Sequence, residues 1–282
     1  MAEIVAGIGI SHVPALTPFL ASQEPLDPAE RVPGAQAFFE AGEWLREQKP
    51  DVVIAVYNDH GAEMSFALVP TFVIGAAEEY PPADEGGGVD PTIPTFPGDP
   101  DLSWHIIDRV IPEGFDLTVA QQMSVDHGLW TPMRALFGAK PAEWPVRVVP
   151  IAVNVVQQPT PSARRCYELG QAIGRALQSY PDGTRIAVIG TGGMSHQLQG
   201  PRAGHINEEF DRGFLSKIVH SPEELADLTN AEYIHFAGSE GAELVMWLVM
   251  RGIMNPDVDE VLSGYHVPVS STGAGVVAMT NR

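Results

Sequence analysis

The chain has 282 residues, an ordinary balance of apolar and charged side chains, and a formal charge of −20. That acidity argues against nucleic acid or an anionic membrane as partner, since both are bound through basic faces. The lone Cys166 excludes an internal disulfide and suits a reducing, cytoplasmic setting. Its place in a helical pattern predicts a small packed side chain, not a reactive thiol.

In chain order, the first apolar run is "IVAGIGI" at 4–10, a predicted strand that runs into Ser11 and His12. The leading "MAEIV" lacks a basic region, so no signal peptide is expected, and no run reaches the length of a membrane span. A helical pattern at 34–48 precedes the strand "VVIAVY" at 52–57, which ends at Asn58-Asp59-His60. After a predicted strand at 66–75 comes "EYPPADEGGGVDPTIPTFPGDP" at 79–100, too long for a simple connection and expected to form a long loop or lid. A helix at 99–111, a strand at 116–123 and the segment "MSVDHG" with His127 follow. The second half reads strand 146–156, helix 162–180, strand 185–190, helices 206–219 and 240–252, and strand 275–279. Continuous apolar strands alternating with helices predict a single α/β domain over 1–282, with a central mixed sheet covered on both faces.

The strand "RIAVIG" enters a glycine cluster, "GTGGMSHQLQGP" at 190–201. No lysine follows to make a P-loop, and Ser195 stands where a dinucleotide fingerprint needs its third glycine. The glycines are therefore expected to let the backbone turn sharply and bring His196 close to a ligand. Of nine histidines, His12, His60, His127 and His196 each follow a predicted strand within a few residues. Ligands of open α/β sheets bind outside the carboxyl ends of strands, so these four point to metal ligation and acid–base work there. The remaining histidines, at 105, 205, 220, 235 and 266, read as surface or capping residues.

A histidine metal site needs a charge partner, and "GSEGAELVMWLVM" offers two acids. Ser239 is a candidate cap, and Glu240 is explained by the helix dipole. Glu243 instead shares a helical face with Met246, Trp247 and Met250, and a buried carboxylate is usually paired or bound to a cation. Two histidines and one carboxylate suit non-haem Fe(II), and equally the zinc of a hydrolase. Spacing does not separate the two metals.

The segments "SHVPAL", "VYNDH", "ADEGGG", "VDHG", "GTGGMSHQLQGPRAG" and "GSEGAELVMWLVMRG" closely resemble, in colinear order, the class III extradiol ring-cleaving dioxygenases. That group includes the β subunit of protocatechuate 4,5-dioxygenase and, as a near relative, gallate dioxygenase. The resemblance implies Fe(II) held by His12, His60 and Glu243, His196 as catalytic base and acid, and His127 as a second proton donor. It implies O2 as co-substrate and a catecholic acid as the ring opened, beside the diol, to a muconate semialdehyde-type product. Ser270 matches a position near the ring carboxylate, while Ser271 stands where the protocatechuate enzymes resemble one another in carrying Asn. Gallate dioxygenases carry a further C-terminal domain, and protocatechuate enzymes a separate small α subunit over the site. Since this sequence stops at Arg282, cover is expected from such an α-type subunit, a second copy, or the 79–100 loop. Two other readings stand beside this one: a zinc hydrolase at the same residues, and a noncatalytic subunit.

Overall fold

The computed structural model describes residues 1–65, 67–138, 141–181, 183–267 and 272–282. Its frame is set by strands that bury both faces. In β2 (Val52–Tyr57), Val52, Ile54 and Val56 enter one hydrophobic core, and Val53, Ala55 and Tyr57 the other. The same division holds in β7 (Arg147–Val153) and β8 (Arg185–Thr191). With β1 (Glu3–Ile10) these form four parallel strands in the order β7-β2-β8-β1. Beyond β1 lie β10 (Ala274–Asn281) and then β9 (Val258–His266), each antiparallel to its inner neighbour. Beyond β7 lie β3 (Phe72–Gly75), antiparallel to it, and β6 (Thr118–Ala120), giving a mixed sheet of eight strands. The two-residue strands β4 (Glu79–Tyr80) and β5 (Phe96–Pro97) pair separately and close the base of the long 79–100 loop.

Helices cover both faces. On one side pack α1 (Leu16–Gln23), α2 (Pro33–Glu47) and α4 (His127–Phe137). On the other pack α3 (Pro100–Val110), α5 (Ala163–Gln178), α6 (Glu208–His220), α7 (Pro222–Ala226), α8 (Asn230–Ala237) and α9 (Val245–Ile253). The helix α9 is fully enclosed, Arg251 included, as the apolar run "LVMWLVM" predicts for its first turns. Its close packing on the sheet explains two glycines of β1. A Cβ at Gly9 would lie 2.1 Å from the Trp247 ring, and one at Gly7 would lie 2.7 Å from the Met254 sulfur.

The predicted strands at 66–75 and 116–123 shorten to Phe72–Gly75 and Thr118–Ala120, and the predicted helix at 240–252 opens as a 3-10 turn over Glu240–Leu244. No helix among the described residues is long and apolar enough to cross a membrane. Cys166 is buried in α5, and burial pushes its thiol well above the ordinary range. Thiolate is the reactive form, so alkylation by iodoacetamide at neutral pH is expected only on unfolding. Rapid labelling of the native protein, read by mass spectrometry, would contradict that packing.

Candidate metal centre

Because β1, β2 and β8 run parallel, their C-terminal ends deliver His12, His60 and His196 to one edge of the sheet. The fourth predicted histidine arrives by another route. β6 runs against the four central strands, so its own end points away from this edge. The chain then turns back through 121–126, where Val125 pairs with the start of the long loop, and places His127 at the first position of α4. Its ring stacks on His60 with centroids 3.9 Å apart.

Glu243 comes from the 3-10 turn leading into α9 and is buried, as the helical spacing predicted. Its Oε2 lies 3.0 Å from His12 Nε2 and its Oε1 lies 3.8 Å from His60 Nε2. One ligand atom from each of His12, His60 and Glu243 lies within 4.8 Å of the others, a geometry that can hold one metal ion. Burial alone would raise the Glu243 carboxyl, but the imidazoles of His12, His60 and His196 outweigh it and hold the group well below the usual range. Burial lowers His12 despite Glu243 beside it. For His60 the carboxylates of Asp126 and Glu243 overcome burial and push the ring up to about 10.

The far side of each ring is anchored. His12 Nδ1 is 3.0 Å from Thr191 Oγ1, and His60 Nδ1 is 2.9 Å from Asp126 Oδ2, which also accepts from the His60 backbone N–H at 2.6 Å. Such outer partners fix the tautomer and leave Nε2 for the metal. Asn58 Nδ2 lies 3.1 Å from His60 Nε2, the nitrogen that faces Glu243. Two imidazoles and one ionised carboxylate, all converging and two of them braced from behind, fit a divalent cation of the Fe(II) or Zn(II) type.

His196 is held differently. Its Nδ1 is 2.8 Å from the Met194 carbonyl, which only accepts, so Nδ1 carries a proton and Nε2 is the nitrogen left to exchange one with the cleft. That Nε2 stands 4.0 Å from Glu243 Oε2, beyond hydrogen-bond reach. The glycine cluster makes these approaches possible. At Gly192 φ is +137° and a Cβ would lie 2.8 Å from the Glu243 carbonyl oxygen, while at Gly193 it would lie 2.5 Å from the His196 ring. The Gly193 N–H donates to Glu243 Oε2 at 2.7 Å.

Ser239 does not cap the 240–244 turn; its hydroxyl instead donates to Glu240 Oε2 at 2.7 Å. Glu240 also accepts from Leu198 N–H at 3.1 Å, so it braces the loop after His196 and lies outside the His/His/Glu cluster. The long loop reaches the site through Glu85, whose carboxylate accepts from the His127 backbone at 3.2 Å and pairs with its Nδ1. A cleft of about 720 Å³ opens over the cluster, with His12, His60, His127, His196 and Glu243 in its walls and Thr272 at one side. His105, His205 and His266 lie elsewhere, on the Ala176 carbonyl, the Phe236 carbonyl and the Phe19 ring. Ser270, expected at the substrate, lies outside the described residues, as does Ser271.

Asp126, Thr191 and Glu85 are functional neighbours that sequence patterns do not single out. Asp126 alone carries a local signal, as an Asp opening a helix, where its Oδ1 accepts from Gly128 N–H at 2.9 Å. Both its oxygens accept, so an amide satisfies only one side. Asp126→Asn is expected to weaken metal binding by about 10–100-fold, measured by competition with a chromophoric chelator. Unchanged affinity would show that His60 needs no such anchor.

Fold and site together are those of an α/β protein with a candidate mononuclear centre of two histidines and one carboxylate. The chain belongs to the family described as the catalytic LigB subunit of aromatic ring-opening dioxygenase, which matches residues 6–278. It is 42% identical over 200 residues to a gallate dioxygenase of Pseudomonas putida, covering 71% of this chain and 58% of that protein. It is 30% identical over 217 residues to a 2,3-dihydroxyphenylpropionate/2,3-dihydroxicinnamic acid 1,2-dioxygenase of Cupriavidus necator, covering 77% of this chain and 64% of that protein. The chain thus spans less than two thirds of the length of these relatives. A crystal structure of an uncharacterized Escherichia coli K12 protein shares the fold with a TM-score of 0.58 at 14% identity, covering 97% of this chain and 99% of that one.

Proposed function

We propose that the chain is a non-haem Fe(II)-dependent extradiol dioxygenase, a single catalytic domain of the β-subunit type. It opens the ring of a catecholic acid of the protocatechuate, gallate or methylgallate type with O2, to a muconate semialdehyde-type product. The observation that carries this reading is a division of labour at one strand edge. His12, His60 and Glu243 converge as metal ligands, while Nε2 of His196 faces the same cleft without joining them.

Bound Fe(II) supplies Lewis acidity and electron transfer between an aromatic diol and dioxygen. The protein's own groups handle the protons. His196 Nε2 takes a phenolic proton, and imidazole is suited to giving it back near neutral pH. His127, paired through Nδ1 with Glu85, offers a second carrier on the His60 side of the cleft. Apolar walls, among them Val13, Val155 and Ala242, limit water around the reacting ring. Ser270 is proposed to meet the ring carboxylate. Leu198 and Val156 stand exposed at the cleft mouth, which supports cover by an α-type subunit or a second copy of the chain.

The test is anaerobic reconstitution with Fe(II) or with Zn(II), followed by oxygen uptake on gallate, protocatechuate and a dihydroxyphenylpropionate. Stoichiometric uptake and a ring-opened semialdehyde chromophore are expected with Fe(II) alone. Activity of the zinc form in ester or amide hydrolysis, without oxygen uptake, would overturn the proposal.

A further inference from the structure

Behind His196 lies a buried carboxylate that the proposed chemistry does not use. Asp211, in the first turn of α6, is wholly enclosed and accepts three hydrogen bonds from neutral donors. Ser195 gives it both its backbone N–H, at 2.8 Å, and its hydroxyl, at 2.6 Å. The Tyr265 hydroxyl, from β9, gives the third at 2.8 Å. Burial pushes its carboxyl above the usual range against the pull of these donors, so holding it in the core is costly. What it accomplishes is visible in the residue it grips.

Every polar group of Ser195 is committed. Its N–H and O–H point to Asp211, its Oγ accepts from Asn207 N–H at 2.7 Å, and its carbonyl accepts from Gly273 N–H at 3.0 Å. The peptide that follows is His196, whose own N–H donates to the Ala237 carbonyl at 2.7 Å. On the other side, Met194 N–H donates to the Gly273 carbonyl at 3.0 Å, and the Met194 carbonyl fixes the His196 ring. Gly273 is packed so close that a Cβ there would lie 2.6 Å from Asp211 Oδ2. The turn bearing His196, the end of β9 and the lead-in to β10 are thereby joined around one carboxylate. Neighbouring Thr272 lines the same cleft as His196.

We infer that Asp211, acting through Ser195, is the positioning residue that aims His196 Nε2 into the cleft. This rests on His196 being the acid–base group of the proposed reaction. Asp211 is neither in the cleft wall nor in the His12, His60 and Glu243 cluster; it sets where the imidazole stands. A displacement of about 1 Å in a reacting group costs on the order of 10²-fold in rate. Asp211→Ala frees Ser195 on two sides and should lower kcat by about 100-fold, with KM and metal content near wild type. Asp211→Asn should restore most of that loss, because an amide can accept from the Ser195 N–H while the two hydroxyls reorient to accept from its NH2.

Two readouts separate aiming from general loosening. In a His196→Gln background, Asp211→Ala should cause no further fall in kcat, since the group being aimed is gone. By NMR of the zinc-loaded protein, the His196 Nδ1–H resonance should be protected in the wild type, lost in Asp211→Ala and recovered in Asp211→Asn. Should Asp211→Ala fail to fold, Ser195→Ala and Tyr265→Phe each remove one donor and should give smaller kcat losses. Full kcat in these variants, an additive effect in the His196→Gln background, or an unchanged Nδ1–H signal would each overturn the inference. If the wild type opens no catechol ring, the proposed function fails instead, and the NMR comparison still decides whether Asp211 positions His196.

Discussion

Glu243→Ala is expected to lose its metal on gel filtration and all oxygen uptake with it, while Glu240→Ala keeps wild-type metal content. Both acids lie in one short turn, so the comparison isolates position from charge. Glu243 is buried, faces His12 and His60, and is held ionised by them. Removing it deletes the only negative ligand of the cluster and should cost more than the about 10–100-fold given for an outer partner. Glu240 spends its carboxylate on Ser239 and Leu198, so its loss should loosen the loop after His196 and raise KM. Loss of a buried charge also strips His12 and Gly193 of a partner, at about 1–3 kcal/mol for each group left unsatisfied. Glu243→Gln controls for this, since it keeps the volume and one acceptor but not the charge. Metal content by emission spectroscopy decides the matter. Equal metal loss in the Glu240 and Glu243 variants would remove Glu243 from its assigned role.

The parts of the fold legible in the sequence are those whose strands bury both faces. β1, β2, β7 and β8 read as continuous apolar runs because helices cover each side, and their shared direction follows from the alternation with helices. β9 escapes such a reading because it is an edge strand, with Asp259 and Glu260 facing solvent among its apolar residues. α4 escapes because it opens on His-Gly and holds Pro132 inside, both poor helix signals. α8 did carry one, the capping box of Thr229 and Glu232. Within the site, His12, His60 and His196 are legible as strand-end residues, and Glu243 as an acid on a buried face. His127 sits where expected, but not for the reason expected, since β6 runs the opposite way. The anchors Thr191, Asp126 and Glu85, like Asp211 behind His196, are set by packing between distant segments. No local pattern encodes such contacts.

His196→Phe should retain metal at wild-type stoichiometry and bind the catechol, yet turn it over about 10²–10⁴-fold more slowly, the usual worth of general acid–base help. His196 Nε2 stands 4.0 Å from the nearest Glu243 oxygen, and its other nitrogen is spent on the Met194 carbonyl. The ring therefore supplies no ligand atom to the cluster of His12, His60 and Glu243, whose atoms already meet without it. Phenylalanine fills the same space against Gly193 but has no lone pair to take a phenolic proton. Dissociation of the catechol, followed by its optical spectrum under argon, should change little, whereas single-turnover rates on admitting oxygen should collapse. His196→Gln offers a hydrogen-bond donor without basicity and should recover only a small part. A variant that loses its metal would place His196 among the ligands, and the division of labour on which the proposed chemistry stands would be wrong.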